Sequence, residues 1–444
     1  MNIASEALLT DLYELTMAQA YLAQDMTGEA VFEFFVRKLP PRRNFLMAAG
    51  LEQVLTYLER FHFAESDLDW LEQSGTFTPF TLAALRTLRF TGDVHAMPEG
   101  TIFFPHEPIL RITAPLPQAQ LVETRVMNLL NFQTMVASKA CRSVLVAESR
   151  PLIDFGLRRA HGAEAGLLAA RASYLAGFAG TSNVQAGARF AIPTYGTMAH
   201  AFVQAHRDEA EAFVHIARAQ PRNVVLLIDT YDTEAAAEKV VALAPQLHRE
   251  GISIHGVRLD SGDLADHARK VRHILDRGGL ADARILASGN LDEERVAALV
   301  RSGAPIDRFA VGTAMTTSAD APYLDCAYKL QEYAGRPCRK RSEGKATWPG
   351  RKQVYRRLAG DGRLGGDIVT VEGETQPGRP LLRHVMQHGR RLSTSPSIHD
   401  IREHAGLALA ELPDTLRRLD QSDPYDVRIA EALNHLAQEV DRHT

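Results

Sequence analysis

The chain of 444 residues carries 50 Lys and Arg against 54 Asp and Glu, a net charge of -4, with 45% hydrophobic and 23% charged residues. That balance describes a globular protein with material for more than one core; it excludes a largely disordered chain and, without a basic excess, argues against nucleic acid or a membrane surface as partner. Three cysteines without CxxC spacing exclude a disulfide framework and a zinc ribbon, and the lack of a leader-like start or a long apolar run predicts a cytoplasmic location.

The first segment predicts a helix, with Asp11 and Glu14 spaced as an N-terminal box and Leu12, Leu15, Ala18 and Leu22 at helical intervals; Tyr13 falls on another face. VFEFFV at 31–36 reads as a strand, and 90–113 alternates strand-like runs with Pro and Gly breaks. These elements suggest a small β-rich domain over 1–140. From 141 to 325 the rhythm changes to short apolar runs that end in small or polar residues and feed helical patterns. The runs are PLIDFG (151–156), GFAGTSN (177–183), IPTYGT (192–197), VVLLIDTYD (224–232), GVRLDSGD (256–263), ILASGN (285–290) and FAVGT (309–313). Strands alternating with helices predict an α/β fold, an irregular (β/α) barrel of about seven strands, with active-site residues at the C-terminal strand ends. Within the last segment, 326–444, the stretch from Arg339 to Arg357 holds eight Lys and Arg and one acid, Glu343. Its bland reading is a solvated loop; as a cluster it suits phosphate-rich small molecules.

Several strand ends carry reactive groups. In YGTMAHAF, His200 stands just past a strand end at the start of a helix, a position for a nucleophile or base more than for a core histidine. Asp229 follows an apolar run and suits the orientation of an imidazole, with a helix N-cap as the alternative. Arg258 and Asp260, two apart, point to the same side of a strand. The guanidinium suits a carboxylate and the Asp a Mg²⁺ ion; an internal ion pair closing the barrel is the alternative. Gly289, Gly312 and Thr313 lie where backbone N–H groups can take phosphate. Phe155 suits stacking on a flat ring and Arg158 suits phosphate.

Taken together, these segments resemble the nicotinate phosphoribosyltransferase family. The likeness runs in order from LLTDLYELTMAQAYL and FEFFVRKLPPRRNFLMAAGLEQVL through DFGLRRAHG, GTSNVQAG, YGTMAHAF, LLIDTYDT, GVRLDSGDL, ASGNLDE and VGTAMTTS to GKATWPGRKQVYR, about residues 8–356. The remainder of the chain carries no motif of this kind.

The resemblance implies a type II phosphoribosyltransferase: an irregular barrel, a second domain built from N- and C-terminal segments, and a homodimer whose active sites are shared between subunits. The implied reaction joins nicotinate to 5-phosphoribosyl 1-diphosphate (PRPP), giving nicotinate mononucleotide and pyrophosphate in NAD biosynthesis. Mg²⁺ assists, and ATP is hydrolysed alongside through phosphorylation of His200, the behaviour of a ligase. Asp229 would orient His200 and Asp260 would face the metal. Nicotinate would be held by Tyr13 of the neighbouring subunit, Phe155, Thr197 and Arg258, and PRPP by Arg158, Gly289, Gly312 and Thr313. Ser182 stands where the related nicotinamide enzyme has an Asp, which favours the acid as substrate. Nicotinamide or quinolinate phosphoribosyltransferase, or a catalytically silent relative acting as a binding protein, are the other readings.

Overall fold

The computed structural model describes residues 5–443. The chain divides into two compact units, one formed by the segments up to Ser138 and from Tyr323 onward, the other by Lys139–Pro322.

The first unit is built on a seven-stranded antiparallel sheet. Its strands Glu29–Val36, Asp93–Ala96 and Leu110–Pro115 come from the N-terminal segment, and Cys326–Tyr333, Arg336–Pro337, Arg383–Gln387 and Arg390–Arg391 from the C-terminal one. Glu29–Val36 lies between Cys326–Tyr333 and Leu110–Pro115, so neither segment completes the sheet alone. The bulky residues Phe32, Phe34, Val94 and Ile112 are buried on it. Apolar, β-branched and aromatic residues of this kind favour a pleated, covered surface.

Two expectations for this unit change. Asp11 precedes the helix Leu12–Ala23 but makes no side-chain cap. Glu14 instead turns inward, accepting from Thr10 Oγ1 and from the Thr124 backbone N–H at 2.9 Å, because the helix buries this face. The basic stretch is also largely spent on internal pairs: Arg351 on Glu29 and Glu332, Lys352 on Glu33, Arg356 on Asp367, and Arg339 and Arg341 on Asp441. Buried cations need such partners, which leaves little of the cluster for phosphate.

The second unit holds a six-stranded parallel sheet in the order Gly180–Thr181, Leu152–Asp154, Arg308–Val311, Arg284–Ala287, Ile254–Leu259 and Val224–Leu227. Helices such as Thr233–Arg249, Leu264–Arg277 and Glu293–Arg301 follow the strands. The strands read as nearly continuous apolar runs because they are covered on both faces.

Of the irregular barrel of about seven strands expected, six strands pair into a parallel sheet among the described residues. The segment expected as a further strand at 192–197 contributes a single parallel bridge, Thr181 with Thr194. Pro193 has no N–H to give to a ladder and Gly196 follows, so pairing stops there. No ladder joins Thr194 to Val224–Leu227 among the described residues. Side chains cross this gap instead: Arg258 reaches Thr197, and His200 reaches Thr230.

Candidate active site

The C-terminal strand ends of the second unit gather an imidazole, two carboxylates and a guanidinium. His200 opens the short helix His200–Gln204. Its Nδ1 lies 3.1 Å from the Thr230 hydroxyl, while Nε2 stands 4.0 Å from Asp229 Oδ1 and 3.9 Å from Asp260 Oδ2. The carboxylates therefore flank Nε2 beyond hydrogen-bonding distance. Direct orientation of the ring by Asp229 is replaced by a Thr230 hydroxyl on the opposite nitrogen.

Asp229 is a structural anchor as well as a charge. Its Oδ2 accepts from the Asp260 N–H at 3.0 Å and the Ser261 hydroxyl at 2.6 Å, locking the LDSGD turn, and its Oδ1 is buried without a hydrogen bond. The N-cap alternative does not apply: Asp232 caps the helix Thr233–Arg249, accepting from the Ala235 N–H. Asp260 is held in turn by the Ser288 hydroxyl. Gly289, at φ +93°, packs so tightly that a Cβ there would lie 1.8 Å from the Asp260 carbonyl oxygen.

Arg258 is buried and donates from Nη1 to the Thr197 hydroxyl at 2.6 Å, while its Nε–H has no partner among the described residues. No ion pair joins it to Asp260, so the barrel-closing salt bridge is absent. Burial lowers the pKa of its guanidinium, opposed by Asp260 and Asp229 and assisted by the nearby Arg158. An arginine keeps its charge through such a shift.

Phe155 and Tyr195 pack over the small apolar cluster Ile153, Leu286 and Ala310. Leu286 is the register partner of Arg258, so an aromatic floor adjoins the buried cation. The Phe155 carbonyl lies against Gly312, which precedes the short helix Thr313–Thr316, and Arg159 donates to the Thr313 hydroxyl at 3.3 Å. Arg158 is exposed in the 3₁₀ turn Leu157–Arg159. Ser182 is half-buried, its N–H donating to the Asp154 carbonyl at 2.8 Å. Tyr13 belongs to the first unit, where it is half-exposed on the helix Leu12–Ala23, and its partial burial, with Glu123, Glu14 and Asp11 nearby, raises its pKa, so the phenol stays neutral.

Sequence reasoning passed over Thr230, Ser288 and Asp154, and gave Ser261 no site role. Asp154 is buried and organises the Phe155 turn by accepting from the Gly156 N–H and the Thr181 hydroxyl; burial raises its pKa despite those bonds. Each sits beside a residue that was singled out, in IDTYD, LDSGD, ASGN and LIDFG, and small hydroxyls next to a strand-end carboxylate are the signal available.

No group of three or more His, Cys, Asp or Glu side chains is arranged to hold a metal among the described residues. Mg²⁺ needs less from a protein, because it commonly binds through one or two carboxylates plus substrate phosphates and water. The orphaned Asp229 Oδ1 and the half-exposed Asp260 Oδ2 are hard oxygens of that type.

Comparison with known proteins decides the family. Residues 8–131 match the nicotinate phosphoribosyltransferase N-terminal domain, 151–336 the nicotinate phosphoribosyltransferase family and 377–437 its C-terminal domain. The chain belongs to the nicotinate phosphoribosyltransferase family. It is 48% identical over 429 residues to nicotinate phosphoribosyltransferase pncB2 of Mycobacterium tuberculosis, covering 96% of this chain and 92% of that one. It is 36% identical to the nicotinate phosphoribosyltransferase of Bacillus subtilis, covering 96% and 93%. The crystal structure of human nicotinic acid phosphoribosyltransferase superposes with a TM-score of 0.87 at 30% identity, over 97% of this chain and 99% of that one. The likeness to nicotinate phosphoribosyltransferases thus extends through the last segment, where motifs were not legible. No helix among the described residues is long and apolar enough to cross a membrane.

Proposed function

We propose that this protein transfers the phosphoribosyl group of PRPP to the ring nitrogen of nicotinate, releasing pyrophosphate, in NAD biosynthesis. Arg258 carries this reading: a buried cation with an unpartnered Nε–H, beside the Phe155 and Tyr195 floor, is matched by a flat ring bearing a carboxylate. Thr197, already bonded to Nη1, would fix the fork. Ser182 is neutral and offers no repulsion to the substrate acid. Tyr13 would cover the other ring face from the neighbouring subunit of a dimer.

Arg158, Gly289, Gly312 and Thr313 would receive the phosphates of PRPP. As the bond from ribose C1 to pyrophosphate breaks, charge collects on the leaving oxygens and C1 gains oxocarbenium character. Arg158 answers the first change, and the stacked nicotinate nitrogen attacks the second. Asp229 and Asp260 would hold Mg²⁺, which supplies further positive charge to the pyrophosphate when bound.

His200 is the proposed site of ATP coupling. Thr230 engages Nδ1, leaving Nε2 to attack the γ-phosphorus of ATP and release ADP; water then cleaves the P–N bond and restores the imidazole. The two carboxylates about 4 Å from Nε2 repel a phosphoryl group there, which favours that hydrolysis once the pyrophosphate and its counter-ions leave.

Purified protein given PRPP and equal nicotinate, nicotinamide and quinolinate tests the assignment. Nicotinate mononucleotide should dominate, and preference for another pyridine overturns it. Labelled ATP followed by mapping of acid-labile phosphate should mark His200; label elsewhere, or none, overturns the coupling.

A further inference from the structure

The first unit contains a cavity of 460 Å³ between the helix Leu51–Arg60, the strand Arg383–Gln387 and the helix Ile398–Ala410. Its volume lies in the range of small-molecule sites. Leu51, Leu55 and Ile401 give it an apolar, buried floor, and Ser393, Thr394 and Ser395 give it hydroxyls.

Its charges are unevenly used. Each acid on the wall already has donors: Glu52 accepts from Arg391, Glu99 from the Gly50 N–H, and Asp400 from the Ser397 N–H and hydroxyl. Arg391 is spent as well, on Glu52 and Glu59. Arg383 has no carboxylate partner among the described residues, although it lines the same cavity beside His384 and His404. Among the described residues His404 hydrogen-bonds with the Thr101 hydroxyl at 3.2 Å, and burial together with Arg383 and Arg379 lowers its pKa, opposed by Glu411. The His384 ring is stacked on His95, with centroids 4.4 Å apart and planes within 3°, so one of its faces is covered.

We propose that this cavity is a second ligand site, taking a small organic phosphate monoester with a flat apolar body. The phosphate meets Arg383, whose guanidinium fork supplies donors and charge, and the neutral His404 imidazole, which supplies a further hydrogen bond. The body rests on Leu51, Leu55 and Ile401 beside the His384 ring. Nothing in the phosphoribosyl-transfer reading uses these residues.

Hydrogen–deuterium exchange on the full chain tests this site by location, with AMP as the probe and inorganic phosphate as the second arm. AMP is expected to slow exchange in 51–60 and 383–404, phosphate alone to do so only at higher concentration, and Arg383→Ala to raise the AMP concentration needed by roughly tenfold or more. Three results overturn the proposal: protection confined to 139–322, protection of 383–404 that survives Arg383→Ala unchanged, or phosphate acting as well as AMP. Arg383 is exposed, so its replacement leaves the fold intact.

Discussion

His200 Nε2 stands 4.0 Å from Oδ1 of Asp229, a buried carboxylate oxygen that accepts no hydrogen bond. The pair is too far apart for a shared proton, so the carboxylate stands beside the ring nitrogen without binding it. His200→Ala should abolish ATP hydrolysis while slow ATP-independent synthesis persists. ATP that still lowers the PRPP requirement in this variant would rule out His200 as the coupling residue.

Asp229→Asn keeps the shape of the side chain and removes its charge, while Oδ2 also anchors Asp260 and Ser261. A loss of roughly 10- to 100-fold in kcat/KM is expected, the scale for groups that orient a site. The measurement is steady-state kinetics with saturating ATP. A loss confined to thermal stability would make Asp229 only a brace for the turn.

Arg258→Ala should raise KM for nicotinate roughly 10- to 100-fold, the worth of charge-assisted hydrogen bonds, with a smaller change for PRPP. Arg258→Lys should not restore it, because an ammonium lacks the planar fork that reaches both Thr197 and a carboxylate. Equal changes for both substrates would show that the residue acts through the fold.

Gly289→Ala places a methyl group against the Asp260 carbonyl at a φ of +93°. Stability should fall by about 1–3 kcal/mol, and kcat should fall with it because Asp260 must move. Gly360→Ala, with open space around its Cα, is the control expected to change neither. Thermal denaturation and kinetics on the two variants separate a local clash from a general cost of adding a methyl.

Burial raises the pKa of Glu14 to about 7 from its ordinary 4.5, against hydrogen bonds from Thr10 and Thr124 that favour the charged form. The folded chain therefore holds this proton more tightly than the unfolded chain between those two values, and stability falls as pH rises through that window. The effect is on the order of 2–3 kcal/mol. Urea denaturation at pH 5 and pH 7 should show the wild type losing stability relative to Glu14→Gln. Parallel behaviour of the two proteins would mean that the hydrogen bonds prevail and Glu14 stays ionised.

Much of this site was legible in the chain because a parallel sheet sends all its strand ends to one side. Short apolar runs marked the strands, and the polar residues that end them, Asp229, Arg258 and Asp260, had to converge whatever the details of closure. The alternation of a strand also placed Arg258 and Asp260 together. Local spacing could not decide what those groups touch. Arg258 meets Thr197 across 61 positions, Thr230 rather than a carboxylate engages the His200 ring, Asp232 rather than Asp229 caps the helix, and the sheet stops at Thr194 instead of closing. Such contacts depend on side-chain rotamers and on which backbone groups remain unpaired once distant segments pack. The strand residues announce where chemistry gathers, and only the packed chain selects the nitrogen, the hydroxyl and the charge that face one another.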